Sequence, residues 1–211
     1  MGALEYVDVA RARRLPGLRL VLTAGGPGPW SEAAKYFFQA KRVPFTAVAQ
    51  IAGSEDPELL AWTGQTSAPA AALDDEPPVS RLSDILLLAE RCAPEPALLP
   101  SDARGRVWTF GLCRELSGPG GLGWSRRLML LDANLARQRP GPAREQSLHF
   151  ARKYGHSPQA AARAPARVLQ ILELLADELR AQRKRGSRYL VGDCLSAVDL
   201  VWAAFAALFA P

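Results

Sequence analysis

The sequence predicts two units in series, an α/β unit and then an all-helical one. Three observations carry that reading. Residues 18–48 run through an extended, a helical and again an extended pattern. The stretch Ala93 to Pro100 (APEPALLP) holds three prolines and breaks all periodicity. Beyond it only helical patterns recur. A chain of 211 residues is long enough for two such cores, placed here at residues 17–92 and 101–211.

Each element has a local reason. Leu18 to Thr23 (LRLVLT) is a short apolar strand. Ser31 to Ala40 is a helix, with Ser31 as its N-cap candidate, Glu32 in the first turn, and Ala34, Phe37 and Phe38 on one side. Val43 to Val48 returns as a strand, so the first three elements form a crossover unit of the kind that joins parallel strands. Asp56 to Trp62 is a short helix or turn, and Ser67 to Leu73 a strand weakened by its alanines. Asp74-Asp75-Glu76-Pro77 is a turn. Val79 begins a further strand, and Ser83 to Arg91 is helical. In the second unit, Asp102 to Leu116 and Ser125 to Gln138 are helices around a glycine-rich break. Residues 139–164, with Pro140, Pro142 and Pro158, read as loop, and Pro165 as the first turn of a helix. That helix carries the stripe Val168, Ile171, Leu172, Leu175 and Leu179. Ser196 and Asp199 then form a capping box that opens a buried helix.

Composition removes several function classes. With 48% hydrophobic and 22% charged residues the chain is an ordinary globular one. The longest apolar run, Leu200 to Ala210, is only about half a bilayer span, and Met1 to Ala10 carries Glu5 and Asp8 where a signal peptide would be apolar. No membrane association is expected. The net charge of +5 gathers at Arg11, Arg13, Arg14 and Arg19 and again at Arg180, Arg183, Lys184, Arg185 and Arg188. Aromatic residues do not alternate with these charges, so no nucleic-acid partner is expected either. Cys92, Cys113 and Cys194 are scattered and odd in number, which suits reduced thiols in a cytoplasmic protein. Cys194 reads as a buried structural thiol. His149 and His156 stand apart from any ligand cluster, and no metal site is expected.

The segment Gly25 to Lys35 (GGPGPWSEAAK) joins a strand to a helix, where glycines often cradle a phosphate. It lacks the Lys-Ser/Thr pair of a phosphate loop and the third glycine of a dinucleotide loop. Pro27 and Pro29 also remove amides that a phosphate nest would use.

Four stretches together resemble the cytosolic glutathione S-transferase superfamily. Tyr189 to Leu200 (YLVGDCLSAVDL) looks like that family's approach to its buried, N-capped helix. Ala68-Pro69 and Leu73 look like its strand entry, where it keeps a cis proline. Ile85 to Arg91 looks like the helix closing its thioredoxin-like domain. Gly28-Pro29-Trp30-Ser31 falls where cysteine-containing members carry Cys-Pro-aromatic-Ser. The resemblance spans Leu18 to Phe209. It implies a thioredoxin-like domain followed by the all-helical domain of these transferases. It also implies glutathione as co-substrate, a small hydrophobic second substrate, and a homodimer. Pro211 ends the sequence just beyond the helix opened at Ser196, where family members usually continue with at least one more helix.

The chain also departs from the family. Residue 28 is glycine, so thiol chemistry from that position is not expected. Two hydroxyls remain as catalytic candidates to hold a glutathione thiolate, Thr23 at the strand end and Ser31 at the helix start. Each has a purely structural alternative, and so does Trp30, which either walls a pocket or packs between domains. The family's Glu/Gln-Ser pair maps onto Arg81-Leu82. Ser80, Ser83 and Asp84 are the substitute polar groups for glutathione, with helix capping as the alternative for Ser83 and Asp84. Arg81 is a candidate to pair with a substrate carboxylate, with plain exposure as its alternative. The backbone of Ala68, ahead of Pro69, offers its own N–H and C=O. Two functions follow from the resemblance: conjugation of glutathione to small apolar electrophiles, or a binding or scaffold role on the same fold after loss of the catalytic residue.

Overall fold

A computed structural model describes residues 4–26 and 28–209. The readings made at Pro27 and at Met1 to Ala3, Ala210 and Pro211 lie outside these residues. The chain divides into two compact units, residues 1–101 and 102–211.

The first unit runs β1 (Tyr6–Val7), α1 (Val9–Ala12), β2 (Leu18–Ala24), α2 (Pro29–Ala40), β3 (Thr46–Ile51), α3 (Pro57–Thr63), β4 (Ala70–Leu73) and α4 (Leu82–Cys92). Its sheet has the order β1-β3-β2-β4. β3 pairs in parallel with β1 and β2, and β4 pairs antiparallel with β2. This is the thioredoxin-like α/β arrangement. Successive strand residues face opposite ways, and that separates two layers of core. Val21, Val48 and Ala70 pack with Val9 and Ala12 of α1 and Leu59 of α3. Leu20, Leu22 and Ala47, one residue out of phase, are also buried, as are Phe37 and Phe38 of α2 and Ile85 and Leu86 of α4.

Several elements differ from the sequence reading. β1 and α1 were not anticipated, because two and four residues are too short to show a period. Asp8 starts α1 by accepting the Arg11 amide at 2.7 Å. β3 begins three residues later than expected: Pro44 has no N–H for a ladder, and the Val43 amide still bonds back to Phe38 O at 2.9 Å. Val79 forms one bridge to Ala71 rather than a strand. Arg19, one of the first group of basic residues, is 4% exposed. It donates to the carbonyls of Leu15 and Asp74 and lies over the Trp62 ring, so the first basic group does not present it to a partner.

The second unit is helical: α5 (Ala103–Ser117), α6 (Leu122–Arg137), α7 (Pro142–Lys153), α8 (Pro158–Lys184) and α9 (Ala197–Ala206). The expected loop at 139–164 is instead α7 and the start of α8. Pro142 and Pro158 each sit in a first helical turn, where a missing N–H leaves no bond unmade. Ser157 caps α8 by accepting the Ala160 amide, and Pro165 lies inside the helix rather than at its start. Its exposed position lets the ring escape the packed side. The Ser196–Asp199 box is present: the Asp199 carboxylate accepts the Ser196 amide at 2.9 Å and, through its other oxygen, the Leu190 amide at 2.9 Å.

α6 and α9 approach closely at Gly123. A Cβ there would stand 2.1 Å from Phe205 Cε1, and Phe205 is fully buried. Gly123→Ala gains about 1 kcal/mol of helix propensity but overpacks a ring with nowhere to go, a loss of about 3 kcal/mol. A net loss of about 2 kcal/mol is expected in urea unfolding, partly restored by adding Phe205→Leu. A stabilised Gly123→Ala protein would contradict this packing.

Among the described residues no helix is long and apolar enough to cross a membrane.

Candidate functional site

The site forms where β2 ends and α2 begins. Gly25 turns the chain with a φ of +80°. Gly28 is the helix N-cap, with Pro29 in the first turn. Ser31 is therefore not the N-cap that its residue type suggested. Pro29 suits the first helical position, so the helix opens before Ser31 and leaves its hydroxyl free to turn back. Ser31 Oγ accepts the Thr23 amide at 3.1 Å and lies 3.1 Å from Thr23 Oγ1. The two hydroxyls singled out in the sequence are thus hydrogen-bonded to each other. They differ in access: Ser31 is 2% exposed, whereas Thr23 is half-buried.

Gly28 faces this pair. A Cβ at residue 28 would lie 3.3 Å from Thr23 Oγ1 and 3.9 Å from Ser31 Oγ. Its φ of −92° is open to any residue, so no backbone strain explains the glycine. A side chain at position 28 would point at the hydroxyls, and the hydroxyls converge on the space it leaves.

Sheet register brings the other candidates to this end. Thr23 pairs with Gln50 across β2 and β3. Val21 pairs with Ala70, the first residue of β4, so the chain enters the sheet at this end of β4. The Ala68–Pro69 peptide is cis. The Ala71–Val79 bridge, with N···O distances of 2.7 and 2.8 Å, runs the chain back in the sense of β2, so Arg81 rises toward the same end. Arg81 is the N-cap of α4, its carbonyl accepting the amides of Asp84 and Ile85. Its side chain is exposed. Ser83 Oγ donates to Asp84 Oδ1 at 3.1 Å, so neither residue caps the helix. Trp30 is partly exposed in the first turn of α2.

Gln50 belongs with this group and was not singled out in the sequence. It is 4% exposed at the end of β3. The available signal was a lone amide in the otherwise apolar run Ala47 to Ile51.

The cysteines lie elsewhere. Burial, reinforced by the Asp199 charge, pushes the Cys113 thiol up to about 12, and burial also raises Cys92. Cys194 is exposed rather than buried, because the loop ahead of Ser196 turns it outward while Leu190 and Val191 point in. A thiol whose folded pKa is raised stays neutral through the range where the unfolded thiol ionises. An alkylating reagent is therefore expected to modify Cys194 in the native protein and to spare Cys113 below about pH 12. Peptide mapping checks this, and Cys113 labelled as fast as Cys194 would contradict it.

His156 Nε2 pairs with Asp132 Oδ1 at 3.0 Å. Among the described residues no group of three His, Cys, Asp or Glu side chains is arranged to hold a metal ion.

No protein-family model matches the chain, and no curated protein matches it. Solved structures do. A glutathione S-transferase from Methylobacterium radiotolerans, in complex with glutathione sulfonate, is 19% identical over 92% of this chain and 79% of that one, with a TM-score of 0.64. A glutathione S-transferase from Methylobacillus flagellatus with GSH bound is 13% identical over 92% and 83%, TM-score 0.67. The beta-etherase LigF from Sphingobium sp. is 19% identical over 90% and 83%, TM-score 0.67. At these identities the likeness is one of fold. A thioredoxin-like unit followed by an all-helical unit is the glutathione S-transferase superfamily fold, and this chain has it.

Proposed function

We propose that the chain binds glutathione at the end of the sheet marked by Thr23 and Ala68–Pro69 and conjugates it to small apolar electrophiles. The observation that carries the reading is the convergence of the Thr23 and Ser31 hydroxyls on the space left by Gly28. Thr23, the accessible member, would donate its O–H to the glutathione sulfur and favour the thiolate. Ser31, the more buried of the two, would hold Thr23 in place. The Ala68 backbone would pair with the peptide part of glutathione, and Arg81, Ser83 and Asp84 at the start of α4 would meet its γ-glutamyl end. Trp30 would lie alongside. The thiol proton leaves to solvent and the thiolate attacks an electrophilic carbon. A carbon–sulfur bond forms as a leaving group departs with its electron pair, or as the neighbouring carbon takes a proton. Because residue 28 is glycine, no mixed disulfide with the protein arises there. The reading includes a cytoplasmic homodimer, which would cover part of the apolar surface at Val107, Trp108 and Leu169.

A second reading keeps the fold and drops the chemistry: a glutathione-binding or scaffold protein. It is favoured by the burial of Ser31 and by Arg81-Leu82 where the family carries an acidic or amide residue and a serine. Calorimetric titration with glutathione, followed by conjugation assays on several electrophiles, separates them. Binding with turnover supports the enzyme, and binding without turnover supports the second reading. No heat of binding at millimolar glutathione would sink the proposed activity.

A further inference from the structure

Gln50 has a hydrogen-bonding pattern that joins two parts of the site. Its Nε2 donates to Ile51 O at 2.7 Å and to Thr66 O at 3.2 Å. Both amide hydrogens are thereby committed to carbonyls, which fixes the orientation of the group and turns Oε1 toward Thr23. That oxygen lies 3.5 Å from Thr23 Oγ1, at the outer limit of a hydrogen bond. The short, well-directed contacts are those to the backbone. Thr66 lies two residues before Ala68, so the buried amide fastens the loop that delivers the cis Ala68–Pro69 peptide to the sheet end.

We propose that Gln50 is a positioning residue for glutathione's peptide portion: it holds the 64–68 loop at the height where the Ala68 N–H and C=O can pair with a ligand backbone. The thiolate function stays with Thr23, whose link to Gln50 is long. This inference rests on the glutathione reading for its ligand, but the loop-holding part stands on the free protein.

The test compares wild type, Gln50→Met and Thr23→Val. Methionine fills the volume without donating or accepting strong bonds, and leaves Thr66 O unpaired. In ligand-free protein, hydrogen exchange of the 64–68 amides is expected to quicken in Gln50→Met and not in Thr23→Val. By calorimetry, Gln50→Met is expected to weaken glutathione binding about tenfold, and to weaken binding of S-methylglutathione by the same factor. The ionisation of the bound thiol, followed by ultraviolet absorbance against pH, should stay at its wild-type position. Unchanged loop exchange overturns the proposal whether or not glutathione binds. So does a Gln50→Met protein that melts earlier yet binds both ligands as wild type does, which is the mark of a merely structural residue. A displaced thiol ionisation would also overturn it, by assigning Gln50 to the sulfur. Wild-type protein that binds no glutathione, with loop exchange altered as expected, removes the glutathione reading and the ligand half of this inference, and leaves the loop anchor standing.

Discussion

Thr23→Val is expected to lower glutathione conjugation about a hundredfold in kcat/KM, with little change in glutathione affinity. Valine keeps the shape of threonine and removes only the hydroxyl. Taking away one preorganised donor to a developing or resident anion typically costs a factor of 10² to 10³, so the lower end suits a donor that is half-exposed. Stability should hold to within about 1 kcal/mol, because the Thr23 amide keeps its bond to Ser31 Oγ. Ser31→Ala should behave in the opposite way. It strands the Thr23 amide in a buried setting, a loss of about 1–3 kcal/mol, and lowers activity only through the resulting displacement of Thr23. Steady-state kinetics and urea unfolding on both variants give the comparison. Turnover retained in Thr23→Val would remove that hydroxyl from the chemistry.

The largest stability effect is expected at Lys41. Its ammonium is fully enclosed at the end of α2 and spends its three protons on Ala93 O at 2.6 Å, Pro96 O at 2.8 Å and Glu90 Oε1 at 2.7 Å. The same Glu90 oxygen accepts the Leu98 amide at 2.9 Å. One lysine thus pins α4 and the proline-rich stretch to the end of α2, where a cation also meets the helix dipole favourably. Lys41→Met retains the stem and removes the charge, which leaves a carboxylate and two carbonyls without their donor. Breaking such a pair costs about 3–5 kcal/mol. The lower figure is expected because Glu90 keeps some contact with water. Urea unfolding measures it, and a loss under about 1 kcal/mol would show that the clamp contributes little.

These residues also show which parts were legible in the sequence. The strand–helix–strand opening, the proline-rich break and the Ser196–Asp199 box are short-range patterns, and all three appear in the structure. Helix starts were legible at Asp102 and Ser196, where a polar cap precedes a clear helical pattern. They were misread at Pro29, Pro142 and Pro158, because the same ring that breaks a helix interior is welcome in its first turn. Thr23 and Ser31 were legible as candidates because both flank one loop. Their mutual hydrogen bond and unequal access depend on how β2 and α2 pack. Gln50 and Lys41 act on partners 16 and about 50 residues away, through sheet register and helix packing that no local pattern encodes. Cys194 was misjudged for a similar reason: its neighbours point inward, and composition alone does not say which residue of a loop turns out.

The most direct measurement is an ultraviolet titration of bound glutathione against pH, for wild type and Thr23→Val under saturating conditions established by calorimetry. Thiolate should appear in the wild-type complex at a pH clearly below that of free glutathione, since a donor to sulfur favours its charged form. The transition should move back toward the free value in Thr23→Val. A bound thiol that ionises as free glutathione does, or one whose ionisation is equally lowered in both proteins, would contradict the assignment of this hydroxyl to the sulfur.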